Sequence, residues 1–478
     1  MNTMKALLTM AGENELTQIH ETTLKVLEEV GIIVQSQEVV EHLSKCGAKT
    51  DGKKVYLPKK MVEDAIKLIN KEIVFGARNP NHDFTIPYKN QTFNTTNGYS
   101  PFIYDEPGKP RRNSTGKDLA KIAQLCDGLE YLDFFWPIVM PTEETVSEME
   151  EISAFNIAIR NNSKHIECSC SSPGAAYWQV KIATAVAGSE AEFKKRPLFS
   201  VIASPTTPLT FEKCTTEAMV ILAKAGVPIS PMDLPMSGTT APATLPGTLV
   251  MTNAEQLATL VIIKSYNPEA PMIYATDSTT ADLRTGGLFY NNSDYDLLSI
   301  MTADLAHYYG IPSIVSHAAN ETHAFENKEG FLANILRVAM SQMTRTDNSV
   351  WLGSLDDCMA TSLWDIVLDH ETLKYVKTYL KNIEVNENTL AYEAIKEIGP
   401  GGEFISAEHT MMNFRNELNY TLPEDSFIFK NGGGDFVELA KKEAERILEE
   451  HTVPAIEQSI LNELDEIMIA ARAEYYNK

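Results

Sequence analysis

The sequence predicts a (β/α)₈ barrel with additions at both ends, and three observations carry that expectation. Short apolar runs recur along the chain, each too brief for a helix and each followed by a longer stretch with helical spacing. They are spaced by about 30–45 residues, the length of a βα unit. The runs at 271–275 (PMIYA), 312–316 (PSIVS) and 349–353 (SVWLG) all break into polar residues, at the position where barrel enzymes gather their chemistry. An open, doubly wound sheet is the rival; it would normally carry a Gly-rich phosphate loop after an early strand. Neither GxGxxG nor GxxxxGK[ST] occurs, which favours the closed barrel.

Taken in order, residues 15–70 read as helices with one short extended piece at 55–58, and residues 72–105 as short strands and turns. Residues 1–115 are therefore expected to form an N-terminal cap, part helical and part β. Thr115–Asp118 reads as a helix start with an acidic first turn. The barrel proper is expected over 116–370, with strands near 134–140, 165–170, 198–203, 227–232, 271–275, 312–316 and 349–353. Amphipathic segments at 148–160, 177–187, 216–225, 254–266, 294–309 and 328–343 lie between them. The eighth strand is ambiguous between 93–97 and the region around Phe404. Residues 371–478 leave the rhythm and read as a largely helical extension packed on the barrel.

Composition narrows the function classes. The chain has 478 residues, 44% hydrophobic and 22% charged, long enough for one large decorated domain. Its net charge of −24, with Lys and Arg scattered, argues against nucleic acid, which would need clustered cations. With neither a signal-like N-terminus nor an apolar run of membrane-spanning length, no membrane association is expected. Cysteines at 46, 126, 168, 170, 214 and 358 are too sparse for a disulfide framework and point to a reducing cytoplasm.

Several residues could carry chemistry. His165, Cys168 and Cys170 supply the soft ligands zinc prefers. On a strand, however, only the two thiols share a face, so buried cysteines are the preferred reading and no metal is assigned. Asp277 and Asp282 could act as bases or merely cap helices. His317 and His323 follow the 312–316 strand, in the kind of loop where barrel sites form. The aromatics are more telling. Tyr99 and Phe102 follow a turn at Asn97–Gly98, while Tyr274 and Trp351 lie in strands that end at the expected site face. Each alone would be core, but together they could form a cage that holds a methylated ammonium by cation–π attraction.

Seven motifs in a fixed order extend these observations: LKVLEEVG at 24–31, YDEPGKPRR at 104–112, PMSG at 235–238, NAEQL at 253–257, DLRTG at 282–286, YGIP at 309–312 and IGPGG at 398–402. In them the chain resembles the trimethylamine methyltransferase superfamily, specifically the branch without pyrrolysine that demethylates quaternary amines such as glycine betaine. The resemblance runs from about residue 15 to about residue 460 and implies a (β/α)₈ barrel. It also implies transfer of a substrate methyl to the cobalt(I) of a separate corrinoid protein, the cobalamin belonging to that partner, with no cofactor bound tightly by this chain. A homo-oligomer is expected. Substrates in view are glycine betaine, proline betaine, carnitine and γ-butyrobetaine.

A quaternary nitrogen leaves as a neutral amine, so attack on its methyl needs no proton donor. The enzyme's task is then to desolvate and orient the cation, with no residue assigned as catalytic. Two departures from the family stand out. Members acting on tertiary amines carry pyrrolysine in the loop after the strand matching 312–316; here residues 321–325 are all ordinary. Glu403 replaces the histidine of a Gly-Gly-His-Phe turn. Two alternatives remain: a zinc-dependent corrinoid methyltransferase for a thiol or alcohol, and a non-catalytic betaine binder.

Overall fold

Along each barrel strand, residues alternate between the axis and the surrounding helices. A computed structural model gives the architecture; it describes residues 7–87, 91–290, 292–316, 328–380, 383–418 and 435–476, without the side chains of 289, 328–332 and 416. Eight strands form the barrel: β1 (Phe93–Thr96), β2 (Phe134–Phe135), β3 (His165–Ser169), β4 (Phe199–Ile202), β5 (Ile229–Ser230), β6 (Tyr274–Thr276), β7 (Ser313–Ser316) and β8 (Asn348–Leu352). Parallel pairing joins β2 to β3, β3 to β4, β4 to β5, β6 to β7 and β7 to β8. Between β5 and β6, Ile229 N–H donates to Pro271 O (3.1 Å) and Ile273 N–H to Ile229 O (2.9 Å). β8 pairs in parallel with β1, Asn348 opposite Phe93, and Asp133 N–H donates to Asn94 O (2.8 Å), which closes the ring.

Each strand leads to a helix: α1 (Gly116–Asp127), α2 (Ser147–Asn161), α3 (Pro173–Ala187), α4 (Lys213–Ala225), α5 (Leu245–Tyr266), α6 (Ser293–Tyr309), α7 (Lys328–Thr344) and α8 (Leu363–Tyr379). The expected start of α1 is present as a reciprocal cap. Thr115 Oγ1 accepts from the Asp118 N–H, and the Asp118 carboxylate accepts from the Thr115 N–H at 2.9 Å. Thr115→Ala should lower stability by about 1 kcal/mol, read as a lower urea midpoint at unchanged slope.

Two expected boundaries move. The first barrel strand is Phe93–Thr96, inside the stretch read as cap, and the last helix runs to Tyr379, beyond 370. The ambiguity over the eighth strand resolves to β1, whose polar sequence (FNTT) hides a fully buried strand. Phe404 lies in an irregular, exposed turn.

Ahead of β1, the hairpin Ile73–Phe75/Phe84–Ile86 closes the barrel's N-terminal end. Its rings stack on barrel residues, Phe84 on Phe93 at 4.1 Å and Phe75 on His165 at 4.4 Å between centroids. At the C-terminus, α9 (Phe436–Glu450) packs on α8 and α1, and α10 (Gln458–Tyr476) on α3 and α2. The connecting residues 383–418 turn Ile383, Val385, Tyr392, Ile405, Met411 and Met412 to solvent. No described helix is long and apolar enough to cross a membrane.

Candidate active site at the open end of the barrel

With the hairpin packed over the N-terminal end among the described residues, the C-terminal ends of the strands are where a barrel site is expected. The inward face can be traced from the register and from the inner apolar cluster of Phe93, Phe134, Trp136, Ile202, Ile273, Ala275, Ile314 and Val350. Strand pairing extends it to Asn348 (opposite Phe93), Ser316 (opposite Val350), Ser200 (opposite Glu167) and Ser230 (opposite Ile202). Alternation along β3 then turns His165, Glu167 and Ser169 to the axis. Such a polar interior departs from the branched apolar layers usual in these barrels.

At the rim, the main chain just past β6 carries Asp277, whose side chain is largely enclosed but still reaches the surface. Its carboxylate accepts from the Tyr295 hydroxyl at 3.0 Å, from the Tyr290 hydroxyl and from Ser316. Burial pushes this carboxyl up to about 6, against the pull of those three donors. The two tyrosine rings meet edge to face at 5.1 Å. Behind them, Arg337 of α7 pairs with Asp296 at 3.2 Å and donates to Tyr290 O at 3.2 Å, bracing the segment that holds the rings.

Across the mouth, Asn97 follows β1 and ties to the β8 loop, its Nδ2 donating to Ser354 Oγ (3.2 Å) and Cys358 Sγ (2.9 Å). That loop runs through three consecutive left-handed residues, Asp356, Asp357 and Cys358, with φ of 52°, 51° and 68°. Non-glycine residues pay for this conformation, and such strain concentrates at functional sites. Tyr104 OH and Arg111 hold Asp356 at 2.6 and 2.7 Å. Tyr99, also left-handed at φ 64°, buries its hydroxyl beside β3. Next to it, Gly98 lies so close to the Trp136 indole that no side chain fits between them. The Trp136 Nε1–H is buried and has no hydrogen-bond partner among the described residues.

The structure separates the expected cage. Tyr99 is at the mouth, but Tyr274 points outward, donating from its hydroxyl to Asn253 of α5 at 3.1 Å and packing on Tyr309. Trp351 also faces the helix layer, with Nε1 donating to Asn94 Oδ1 at 3.3 Å. The physical reason is strand phase: Ile273, Ala275 and Val350 take the inward positions, so their neighbours must face out. Phe102 has one ring face taken by the Arg111 guanidinium, 4.3 Å from its centroid. His317 and His323, with the rest of 321–325, lie outside the described residues.

The zinc alternative is not assembled. Cys168 and Cys170 pack outward in the helix-layer core, while the ring nitrogens of His165 are engaged by Gly76 O and Ser200 Oγ, both at 2.8 Å. Among the described residues no three His, Cys, Asp or Glu side chains gather around a metal-sized space. Asp282 is a surface residue paired with Arg284. Trp136, Glu167, Tyr290 and Tyr295 went unread in the sequence. Trp136 is hidden in an unbroken apolar run, FFWPIVM, while Tyr290 comes from the long connection after β6 and Tyr295 from the first turn of α6.

Comparison with known proteins adds to this geometry. A family model described as trimethylamine methyltransferase (MTTB) matches residues 2–475. The chain is 30% identical over 483 residues to the trimethylamine methyltransferase MttB of Desulfitobacterium hafniense (strain DSM 10664 / DCB-2), covering 97% of this chain and 94% of that protein. It is 28% identical over 452 residues to the glycine betaine methyltransferase of D. hafniense (strain Y51), covering 94% of each. Among solved structures, the monomethylamine methyltransferase MtmB of Methanosarcina barkeri matches 98% of this chain and 88% of its own, with a TM-score of 0.50 at 9% identity, a likeness of fold.

Proposed function

The chain belongs to the trimethylamine methyltransferase (MTTB) family, and we propose that it demethylates a quaternary amine, with the cobalt(I) corrinoid of a partner protein as the methyl acceptor. One observation carries the substrate reading. Asp277 is a largely enclosed carboxylate at the rim, ionised at neutral pH, whose hydrogen-bond partners among the described residues are neutral hydroxyls. A permanent cation seated there would supply the missing charge, while Tyr290 and Tyr295, buried behind the carboxylate, hold it in place. Glycine betaine as the substrate named for one relative supports the same class.

In this reading the protein binds, dries and aims its substrate. Asp277 fixes the ammonium, and one methyl is left pointing out of the barrel mouth. The corrinoid supplies a cobalt(I) nucleophile for that methyl. The acceptor would approach from the C-terminal end, because among the described residues Phe75 and Phe84 pack over the other. When the carbon–nitrogen bond breaks, its electron pair stays on nitrogen and a neutral amine results.

The test offers cob(I)alamin with glycine betaine, proline betaine, carnitine, γ-butyrobetaine or trimethylamine at equal concentration under anaerobic conditions. Methylcobalamin is expected from a quaternary amine and not from trimethylamine. Comparable product from trimethylamine would overturn the assignment and align the protein with the trimethylamine enzymes.

A further inference from the structure

The chain between α8 and α9 folds without burying anything. Residues 383–418 hold three helices, Glu387–Leu390, Tyr392–Ile398 and Glu408–Glu417, and none of the side chains described there is buried. The first and third helices are tied together: His409 Nε2 lies 2.9 Å from Asn388 O, and Asn388 Nδ2 donates to Asn413 Oδ1 at 3.2 Å. Among the described residues, the hydrogen bonds of 384–413 stay within that stretch. Helices of 4, 7 and 10 residues are too short to persist alone in water. The entropy lost in ordering them has to be offset by apolar burial. Yet Ile383, Val385, Tyr392, Ile405, Met411 and Met412 are between 66% and 78% exposed. Together they present on the order of 1,000 Å², above the roughly 300–600 Å² of the largest patch on an ordinary monomer and near the roughly 800 Å² each partner gives to a standard interface.

The occupant follows from chemistry and place. A protein that docks and withdraws in every turnover uses a smaller and more polar face, whereas a face this apolar suits a lasting contact between copies of one chain. The segment also carries seven glutamates against Lys396 and Arg415. Two such segments laid on one another would repel, so each needs a seat that is apolar and basic. The described surface offers one at the hairpin-covered end of the barrel. A groove of about 310 Å³ is lined there by Ile73 and Val74 and by Lys194, Lys195 and Lys224. Glu72 and Glu269 also reach it, leaving the lysines in excess.

The two features are placed to meet across a symmetry axis. The segment springs from the far end of α8, where Lys377 Nζ lies 5.5 Å from the Tyr131 ring just ahead of β2. The groove lies where β4, β5 and β6 begin, since Pro197, Gly226 and Pro271 also line it. In the ring order β8–β1–β2 stands opposite β4–β5–β6, so root and groove occupy opposite sides of one barrel end. A two-fold axis crossing that end sets each segment over the groove of the other copy and leaves both mouths free. We propose that residues 383–418 are a dimerisation arm, seated in the lysine-lined groove of a second copy of this chain.

Sedimentation of the full chain tests this. At micromolar concentration the assembly should contain an even number of the 53.1 kDa chains. Ile405→Asp combined with Met411→Asp should raise its dissociation constant by about a hundredfold or more, because each substitution buries an unpaired carboxylate on association. Both positions are exposed in the single chain, so the dilute variant should keep the circular dichroism and denaturant midpoint of dilute wild type. Lys194→Glu combined with Lys224→Glu should raise the dissociation constant by about tenfold or more. Hydrogen exchange on the wild type needs no variant: amides of 387–417 should be protected at high concentration and lose about tenfold protection or more on dilution. A monomeric wild type, its arm covered by other residues of its own chain or by a different protein, would overturn the proposal. So would an assembly that the arm variant leaves intact, or arm amides whose protection ignores dilution. An assembly broken by the arm variant but indifferent to the lysine reversals would overturn the groove as the seat.

Discussion

Asp277→Asn will bind a quaternary ammonium substrate more weakly by about 2–5 kcal/mol, the range for truncating one member of a desolvated charge pair. The sign with pH follows from the raised carboxyl. Asp277 has its ordinary value of 3.8 when unfolded and about 6 when folded. Below 3.8 both states are protonated and the buried site costs nothing. As pH rises through the interval the folded protein is penalised for ionising, by about 3 kcal/mol above pH 6. A bound permanent cation offsets that penalty. Affinity for the cation should therefore increase from pH 5 to 7 and then level off, and since the ligand cannot titrate, the midpoint reports the protein. In Asp277→Asn the profile should be flat, while the unliganded variant should be more stable than wild type above pH 6. Isothermal titration across this range, with chemical denaturation of the free protein, measures both. Unchanged affinity in a folded variant would remove Asp277 from the site.

The second large effect is expected at Gly98. An added methyl there would overlap the Trp136 indole, whose ring atoms occupy the space of a Cβ. The backbone on either side is pinned: Tyr99 N–H donates to Pro137 O at 3.1 Å and Asn97 to the β8 loop. Trp136 must give way, and its place in the inner core makes that costly. Gly98→Ala should lose about 1–3 kcal/mol of stability, the usual cost of overpacking. It should also lose more activity than this stability change alone explains, because the displaced indole intrudes on the funnel. Denaturant midpoints compared with kcat/KM at a temperature where the variant is folded separate the two losses. A variant as active as wild type would place Trp136 in the scaffold.

These two sites also mark how far the residues could be read without coordinates. Seven of the eight strands announce themselves as short apolar runs, because a barrel strand covered on both faces tolerates few charges. Phe93–Thr96 does not, since Asn94, Thr95 and Thr96 bury hydroxyl and amide groups whose partners are far away in sequence. On β3, strict alternation was enough to put the two thiols on one face and His165 on the other. For Tyr274 and Trp351 the same rule was available, but its phase was not. Which residues of an apolar run face inward depends on register with the neighbouring strands, a long-range property. Asp277 was legible as a carboxylate past a strand; its separation from Asp282 required burial. Tyr290 and Tyr295 reach it through a 13- and an 18-residue separation that no local pattern reports.

The aromatic plug of Phe75 and Phe84 takes one end of the barrel and leaves the C-terminal mouth as the doorway of the proposed reaction. In the proposed reaction the amine and the far larger acceptor must share it, and the order of events follows. An acceptor docked over the mouth traps whatever lies beneath and bars whatever does not. The amine has to enter first, and its demethylated product has to wait until the acceptor withdraws. Steady-state kinetics should accordingly be sequential and compulsory-order: excess acceptor should inhibit by occupying the empty enzyme, and demethylated amine should compete with the quaternary amine alone.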